Sequence, residues 1–165
     1  MKWNKMNIKK HINHILFKNG RIIDPFNQKS FKGSIWVKDG RIAGVGDFEI
    51  PKVDDIFIID CTNKIITHGF CDLHAHFREP GEDDKEDLES GSRSALAGGF
   101  TRVCVMPNTK PPIDSPELVD FIIQTAKQSP IHIHPIGAVT KNQEGKLLTE
   151  MSLMHQKGVV AFSDD

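Results

Sequence analysis

The sequence has few cysteines, almost no net charge and no long apolar run. Its three cysteines, Cys61, Cys71 and Cys104, are odd in number and far apart, so we interpret them as buried apolar side chains and not as a disulfide framework. A formal net charge of −1 gives no electrostatic reason to expect binding to nucleic acid or to an anionic membrane. No segment resembles a membrane span or a signal-peptide core, and we therefore expect a soluble, cytoplasmic protein.

The first third of the chain reads as short β-strands. Residues 1–14 are polar and aperiodic, which predicts a loose N-terminal extension. Residues 15–64 contain apolar runs separated by turn dipeptides, of which Asn19-Gly20 and Asp39-Gly40 are typical of β-hairpins. We expect this region to form a small antiparallel β module, and nothing in it looks catalytic.

From residue 65 onward, strand-like and helix-like segments alternate. The predicted strands end near residues 76, 106, 139 and 162, and the predicted helices cover 85–97, a segment starting at Ser115-Pro116, and 149–156. Four strands alternating with three helices predict a parallel sheet, and a strand about every 30 residues is typical of a (β/α) barrel. A complete barrel needs about 250 residues. We therefore expect residues 65–165 to be the first half of a barrel in a larger protein, with a freestanding four-stranded domain as the alternative.

The stretch Asp72-Leu73-His74-Ala75-His76 lies at the end of the first predicted barrel strand. Alternation puts Asp72, His74 and His76 on one face, where two imidazoles can bind one metal ion such as Zn²⁺. We interpret Asp72 as a residue that supports the histidines and not as a ligand. The alternative for an isolated His-x-His is a pair of polar side chains on an exposed strand.

Polar residues also follow the other predicted strands at the end where barrel enzymes have their active sites. Arg78 offers a planar donor pair for a carboxylate, Asn108 can donate a hydrogen bond, and Asp164 or Asp165 can bring a carboxylate to the metal. A divalent ion held there would activate water and polarise a carbonyl, which indicates hydrolysis of a small anionic amide or ester. Each of these residues has a simpler alternative role: Arg78 forms an exposed ion pair with Glu79, Asn108 only forms a turn, and Asp164 and Asp165 are a solvated terminus.

A second His-x-His occurs at His132 and His134. It opens the third barrel strand, so it lies at the end of the barrel opposite the catalytic end. We do not expect it to bind a metal.

With these residues in hand, the sequence resembles the dihydroorotases of the amidohydrolase superfamily, in the group whose metal-bridging ligand is an aspartate. The Asp-x-His-x-His element by itself would indicate only the superfamily. Arg-Glu-Pro-Gly and Met-Pro-Asn-Thr narrow the resemblance to dihydroorotase. The matching segments are residues 69–81, 98–101, 106–111 and 162–165, and they lie within a collinear match from about Ile15 to the end of the sequence.

This resemblance implies a β-sandwich over residues 15–64 beside a zinc-dependent (β/α)8 barrel. It implies reversible hydrolysis of (S)-dihydroorotate to N-carbamoyl-L-aspartate in pyrimidine synthesis. His74 and His76 would bind one or two Zn²⁺ ions, Asp165 would be the bridging carboxylate, and Arg78 and Asn108 would hold the substrate carboxylate. Further metal histidines and the proton-shuttling aspartate are expected beyond residue 165, so this chain alone is expected to contain no complete catalytic set and to have little activity.

Three alternatives to this function are considered. An allantoinase or hydantoinase would be expected to carry a lysine near Asp165, and residues 162–165 contain none. A non-catalytic dihydroorotase-like subunit that scaffolds aspartate transcarbamoylase could dispense with its metal ligands, whereas His74, His76 and Asp165 are all present. The third is a truncated product of a split or incompletely sequenced gene, unfolded by itself. Apart from a transcarbamoylase complex, a homo-oligomer is the assembly that we consider.

Overall fold

The computed structural model describes residues 12–49, 52–53 and 55–165. The chain divides into two compact units between His68 and Gly69. Residues 1–11 of the predicted N-terminal extension lie outside the described residues, and His14, its last member, begins the first strand.

The first unit is built on one long strand. Its elements are β1 (His14–Asp24), β2 (Lys29–Lys38), β3 (Arg41–Gly46), β4 (Ile56–Asp60) and β5 (Ile65–Ile66). The strand order is β3-β2-β1-β4, and β5 also pairs with β1. β2 is antiparallel to β1 and β3, but β4 and β5 run parallel to β1. The prediction of an antiparallel module is therefore confirmed for β1, β2 and β3 and was wrong for β4 and β5, because the chain after β3 crosses to the other side of β1 and pairs with it in the same direction.

One of the two predicted hairpins is confirmed. Asp39 and Gly40 join β2 to β3 with φ values of 48° and 72°, as a two-residue hairpin turn requires. The hairpin predicted at Asn19-Gly20 was wrong, because β1 continues through it with a register shift and Asn19 has a φ of 64°. A Cβ on Gly20 would lie 2.4 Å from Ile66 Cδ1, so glycine here permits close packing and not a chain reversal.

The second unit confirms the predicted alternation of strands and helices. Its elements are β6 (Phe70–Ala75), α1 (Leu88–Ala97), β7 (Phe100–Val105), α2 (Pro116–Ala126), β8 (His132–Gly137), a 3₁₀ turn (Lys141–Gln143), α3 (Met151–Lys157) and β9 (Ala161–Phe162). The four strands form a parallel sheet in the order β6-β7-β8-β9. The unit therefore has the predicted α/β fold class.

The helix ends follow from local chemistry. Ser115 caps α2 by accepting the Leu118 N–H, and Pro116 is the first helical residue, as predicted. α1 begins at Leu88 and not at residue 85, because Asp87 is its N-cap and accepts the Ser90 N–H at 2.7 Å. These caps fix where the loops before α1 and α2 end.

The core of this unit lies between the sheet and its helices. Val103, Val105 and Ile133 of the strands pack with buried residues that include Leu88, Val119, Ile122 and Met154. All three cysteines of the chain are free, and Cys61 and Cys104 are buried as predicted. Cys71 is exposed, which corrects its predicted burial, because β6 is an edge strand of the described sheet. In the part of the chain that the structure describes, every helix is too short or too polar to cross a membrane.

Candidate metal centre

Three strands of the second unit bring polar residues to one edge of the sheet. His74 lies in β6 and His76 directly follows it, Asn108 follows β7, and Asp165 follows β9. Since the strands are parallel, their carboxyl ends lie at the same edge. Residues far apart in sequence can therefore meet there.

His74, His76 and Asp165 form a triangle of donor atoms. His74 Nε2 lies 3.2 Å from His76 Nε2, and Asp165 Oδ2 lies 3.4 Å from the former and 3.6 Å from the latter. Two ligands of a tetrahedral zinc ion bound at about 2.0–2.1 Å are separated by about 3.3–3.4 Å. The three atoms thus have the spacing that such an ion requires, and they form a group able to hold a metal ion within the described residues.

Asn108 contacts two corners of this triangle. Its Oδ1 lies 2.8 Å from His76 Nδ1, and its Nδ2 lies 3.4 Å from Asp165 Oδ2. Because an amide oxygen only accepts, a neutral His76 imidazole that makes this hydrogen bond has its proton on Nδ1 and its lone pair on Nε2, toward the other two donors. This contact was missed by sequence reasoning, which gave Asn108 a substrate role, and no local sequence pattern reveals it.

Asp164 and Asp165 have different surroundings. The Asp164 carboxylate accepts the N–H groups of Val139 and Thr140 at 2.8 and 3.0 Å and the Thr140 hydroxyl at 2.6 Å. These hydrogen bonds, the Thr140 hydroxyl first, hold the pKa of Asp164 below its ordinary value. Asp164 therefore anchors the loop after β8, while the Asp165 side chain faces the histidines.

Two further residues support the triangle through the backbone. Asp72 Oδ1 accepts the backbone N–H of His74 at 3.1 Å. Gln143 Nε2 donates to the backbone oxygen of Asp165 at 2.9 Å. Gln143 was not singled out in the sequence, because the 3₁₀ turn that contains it carries no motif.

Arg78 lies beside the triangle and not in it. Its NH1 is 3.4 Å from the backbone oxygen of Asn108 and 3.9 Å from Glu82 Oε2. Glu79, considered as an ion-pair partner of Arg78, instead accepts the backbone N–H of Leu88 at 2.9 Å. The half-buried guanidinium can thus reach a ligand bound near the donor triangle.

The second His-x-His lies at the opposite end of the sheet, since His132 is the first residue of β8. His134 Nε2 is 3.4 Å from Arg102 NH1, and burial followed by this cation lowers the pKa of His134. A neighbouring guanidinium disfavours the binding of a metal cation. The structure therefore separates the two histidine pairs in position and in charge.

Comparison with solved structures defines the class of fold. The chain superposes on the L-hydantoinase (dihydropyrimidinase) of Arthrobacter aurescens with a TM-score of 0.76 and 26% identity, over 90% of this chain and 32% of that one. This similarity confirms the predicted fold class, the N-terminal part of an amidohydrolase (β/α) barrel. The unit before it, for which a β-sandwich was expected, is a single five-stranded sheet in the described residues.

Sequence comparison gives the family. A family model described as dihydro-orotase-like matches residues 63–165. The dihydroorotases of Caldicellulosiruptor saccharolyticus and Solibacter usitatus are each 43% identical to the chain, over 92% of its length. The chain belongs to the dihydro-orotase-like family. It spans about a third of those relatives, since the matches cover 35% of each.

Proposed function

We propose that the chain is part of a zinc-dependent cyclic amide hydrolase that interconverts (S)-dihydroorotate and N-carbamoyl-L-aspartate, the dihydroorotase reaction of pyrimidine synthesis. The observation that carries this proposal is the triangle of His74 Nε2, His76 Nε2 and Asp165 Oδ2, with edges of 3.2, 3.4 and 3.6 Å. Membership of the dihydro-orotase-like family supports it. Because the chain covers about a third of its relatives, the activity is proposed for the protein to which these residues belong.

In this proposal His74, His76 and Asp165 hold one or two Zn²⁺ ions. Bound zinc supplies an activated water and polarises the amide carbonyl. Asn108 keeps the proton of His76 on Nδ1, and Asp72 fixes the His74 backbone. The protein thus presents imidazole lone pairs and a carboxylate oxygen in a fixed arrangement.

Arg78 and Asn108 are proposed to bind the substrate carboxylate. The guanidinium beside the Asn108 carbonyl carries the positive charge that a carboxylate requires. Hydrolysis forms a bond between the water oxygen and the ring amide carbonyl carbon and breaks the ring C–N bond. One proton of the water goes to the ring nitrogen, and the other is released when the new carboxyl group ionises. We assign no described residue to that proton transfer, and we expect the proton-shuttling aspartate outside residues 1–165.

A hydantoinase-type hydrolase is the second candidate, because the L-hydantoinase of Arthrobacter aurescens shares the fold at 26% identity. The hydantoin ring bears no carboxylate, so Arg78 would have no anionic group to bind. A non-catalytic subunit associated with aspartate transcarbamoylase is the third, and it has no need of the donor triangle. A homo-oligomer and a transcarbamoylase complex are the assemblies that we consider, and we propose a cytoplasmic location.

Substrate preference tests the proposal. Hydrolysis of dihydroorotate and of hydantoin is measured with added zinc, for the 165-residue chain and for the longest reading frame that contains it. The longer product is expected to prefer dihydroorotate and to turn it over at about 1 per second or more, with the short chain well below that rate. Arg78→Gln is expected to raise KM for dihydroorotate by about tenfold or more. A preference for hydantoin, or an unchanged KM in Arg78→Gln, would contradict the assignment.

A further inference from the structure

Glu82 lies outside the groups assigned above, in the loop between β6 and α1. Its carboxylate is 2.7 Å from Lys85 Nζ, 2.7 Å from Lys110 Nζ and 3.9 Å from Arg78 NH1. The Glu82 side chain is 12% exposed, whereas both lysines are largely exposed. The hydrogen bond from Lys110, followed by that from Lys85, lowers the pKa of Glu82 to about 2. The carboxylate is therefore ionised at neutral pH and shared among three cations.

Lys110 belongs to the loop after β7, so its ion pair with Glu82 joins two loops. The same loops also touch through their backbones, since the Lys110 N–H donates to the Pro80 oxygen at 2.9 Å. Gly81 has a φ of 94°, and a Cβ there would lie 1.9 Å from the Lys110 oxygen. The loop after β6 thus approaches the loop after β7 too closely for any residue but glycine, and the Glu82 side chain closes the contact.

Arg78 lies at the start of this loop with a φ of 57°, in the left-handed region that a non-glycine residue adopts at a cost. Its backbone oxygen accepts the Glu82 N–H at 3.3 Å. Its guanidinium lies between Glu82 of its own loop and the Asn108 oxygen of the neighbouring loop. The position of the guanidinium therefore depends on how the two loops meet.

We infer that Glu82 is a positioning residue for Arg78: by pairing with Lys110 it holds the two loops together and sets where the guanidinium meets a carboxylate-bearing substrate. The substrate part of this inference rests on the proposed function, whereas the loop contact does not. Ion pairs with exposed lysines add little to overall stability. The expected effect is accordingly local, on Arg78 and on anion binding.

The direction in which Glu82→Gln changes the affinity for an anion distinguishes a positioning role from a simple electrostatic effect. Glu82→Gln removes a negative charge close to Arg78, so electrostatics alone would strengthen the binding of an anion. If Glu82 positions Arg78, the same variant binds the anion more weakly. Lys110→Gln and Lys85→Gln remove the same charge and the same 2.7 Å contact, but only Lys110 reaches Glu82 from the other loop. Lys85→Gln is therefore the matched control.

Two measurements on the zinc-loaded chain test the inference: the Kd of N-carbamoyl-L-aspartate by calorimetry, and the Nε–H resonance of Arg78 by NMR. Glu82→Gln and Lys110→Gln are expected to weaken binding about tenfold and to shift the Arg78 resonance. Lys85→Gln is expected to change Kd less than about twofold and to leave the resonance in place.

Tighter binding in Glu82→Gln, or an effect of Lys85→Gln equal to that of Lys110→Gln, would overturn the inference. Absence of binding by the unmodified chain would count against the proposed function. In that case the Arg78 resonance still decides: a shift in Glu82→Gln and Lys110→Gln alone supports the positioning role, and an unchanged resonance refutes it.

Discussion

Replacing Asn108 by alanine tests how the candidate metal centre is organised. The substitution removes the acceptor 2.8 Å from His76 Nδ1 and the donor 3.4 Å from Asp165 Oδ2. Without the acceptor, the proton of His76 is free to move to Nε2, the atom that faces the other two donors. The variant is therefore expected to bind zinc more weakly while keeping all three proposed ligands.

The structure sets the size of the expected loss. Hydrogen-bond partners of metal-bound histidines are typically worth about 10–100-fold in metal affinity. The contact to Asp165 is long at 3.4 Å, and the His76 side chain is 30% exposed, so water can replace part of the lost contact. We therefore expect a loss near the lower limit, about tenfold or about 1.4 kcal/mol.

Competition with a chromophoric chelator at neutral pH measures this loss directly. Asn13→Ala, the same substitution in the first unit, is the control and is expected to leave the zinc Kd unchanged. An unchanged Kd in Asn108→Ala would show that His76 does not depend on the amide. A loss as large as that of His76→Ala would show that Asn108 acts as a ligand, and either result would refute the reasoning.

Three further predictions concern stability. Gly81→Ala is expected to lower the free energy of unfolding by about 1–3 kcal/mol, measured by urea titration. Gly145→Ala is expected to lower it less, because both glycines have positive φ but a Cβ at Gly145 would meet no atom within 4 Å. Met154→Ala, at a fully buried position, is expected to cost about 2–5 kcal/mol, against about 0.5 kcal/mol or less for the exposed Leu153→Ala; equal costs would contradict the described core. Folding lowers the pKa of the Asp164 carboxyl group. Without zinc, the unmodified chain is therefore expected to be more stable than Asp164→Asn at neutral pH, and this difference in the free energy of unfolding is expected to fade as the pH falls below about 4. A difference that stays constant with pH would contradict this prediction.

Much of the second unit could be predicted from periodicity. Apolar runs specify the strands and helices locally, and Ser115-Pro116 marks the start of α2. The rule that parallel strands place functional residues at their carboxyl ends then brings the polar residues after these strands together. The first unit was harder to predict. An Asn-Gly pair permits positive φ in a bulge as well as in a turn, and the parallel pairing of β4 and β5 with β1 is a long-range choice that no local pattern encodes.

The candidate site, too, could be predicted only in part from the sequence. The spacing of His74 and His76 on one strand predicted that they can meet, and their Nε2 atoms are 3.2 Å apart. Chemistry alone could not choose between Asp164 and Asp165, because the difference lies in the hydrogen bonds that the loop after β8 offers to Asp164. Glu82 was assigned no role from the sequence, since its contact with Lys110 depends on how two loops meet.

Zinc binding by the 165-residue chain tests the central claim most directly. Calorimetry is expected to show specific binding that is lost in His74→Ala and in Asp165→Asn, and X-ray absorption is expected to show nitrogen and oxygen ligands at about 2.0–2.2 Å. His132→Ala, from the second His-x-His, is the matched control and is expected to bind as the unmodified chain does. An absence of zinc binding, or binding that survives in His74→Ala and is lost in His132→Ala, would contradict the proposed metal centre.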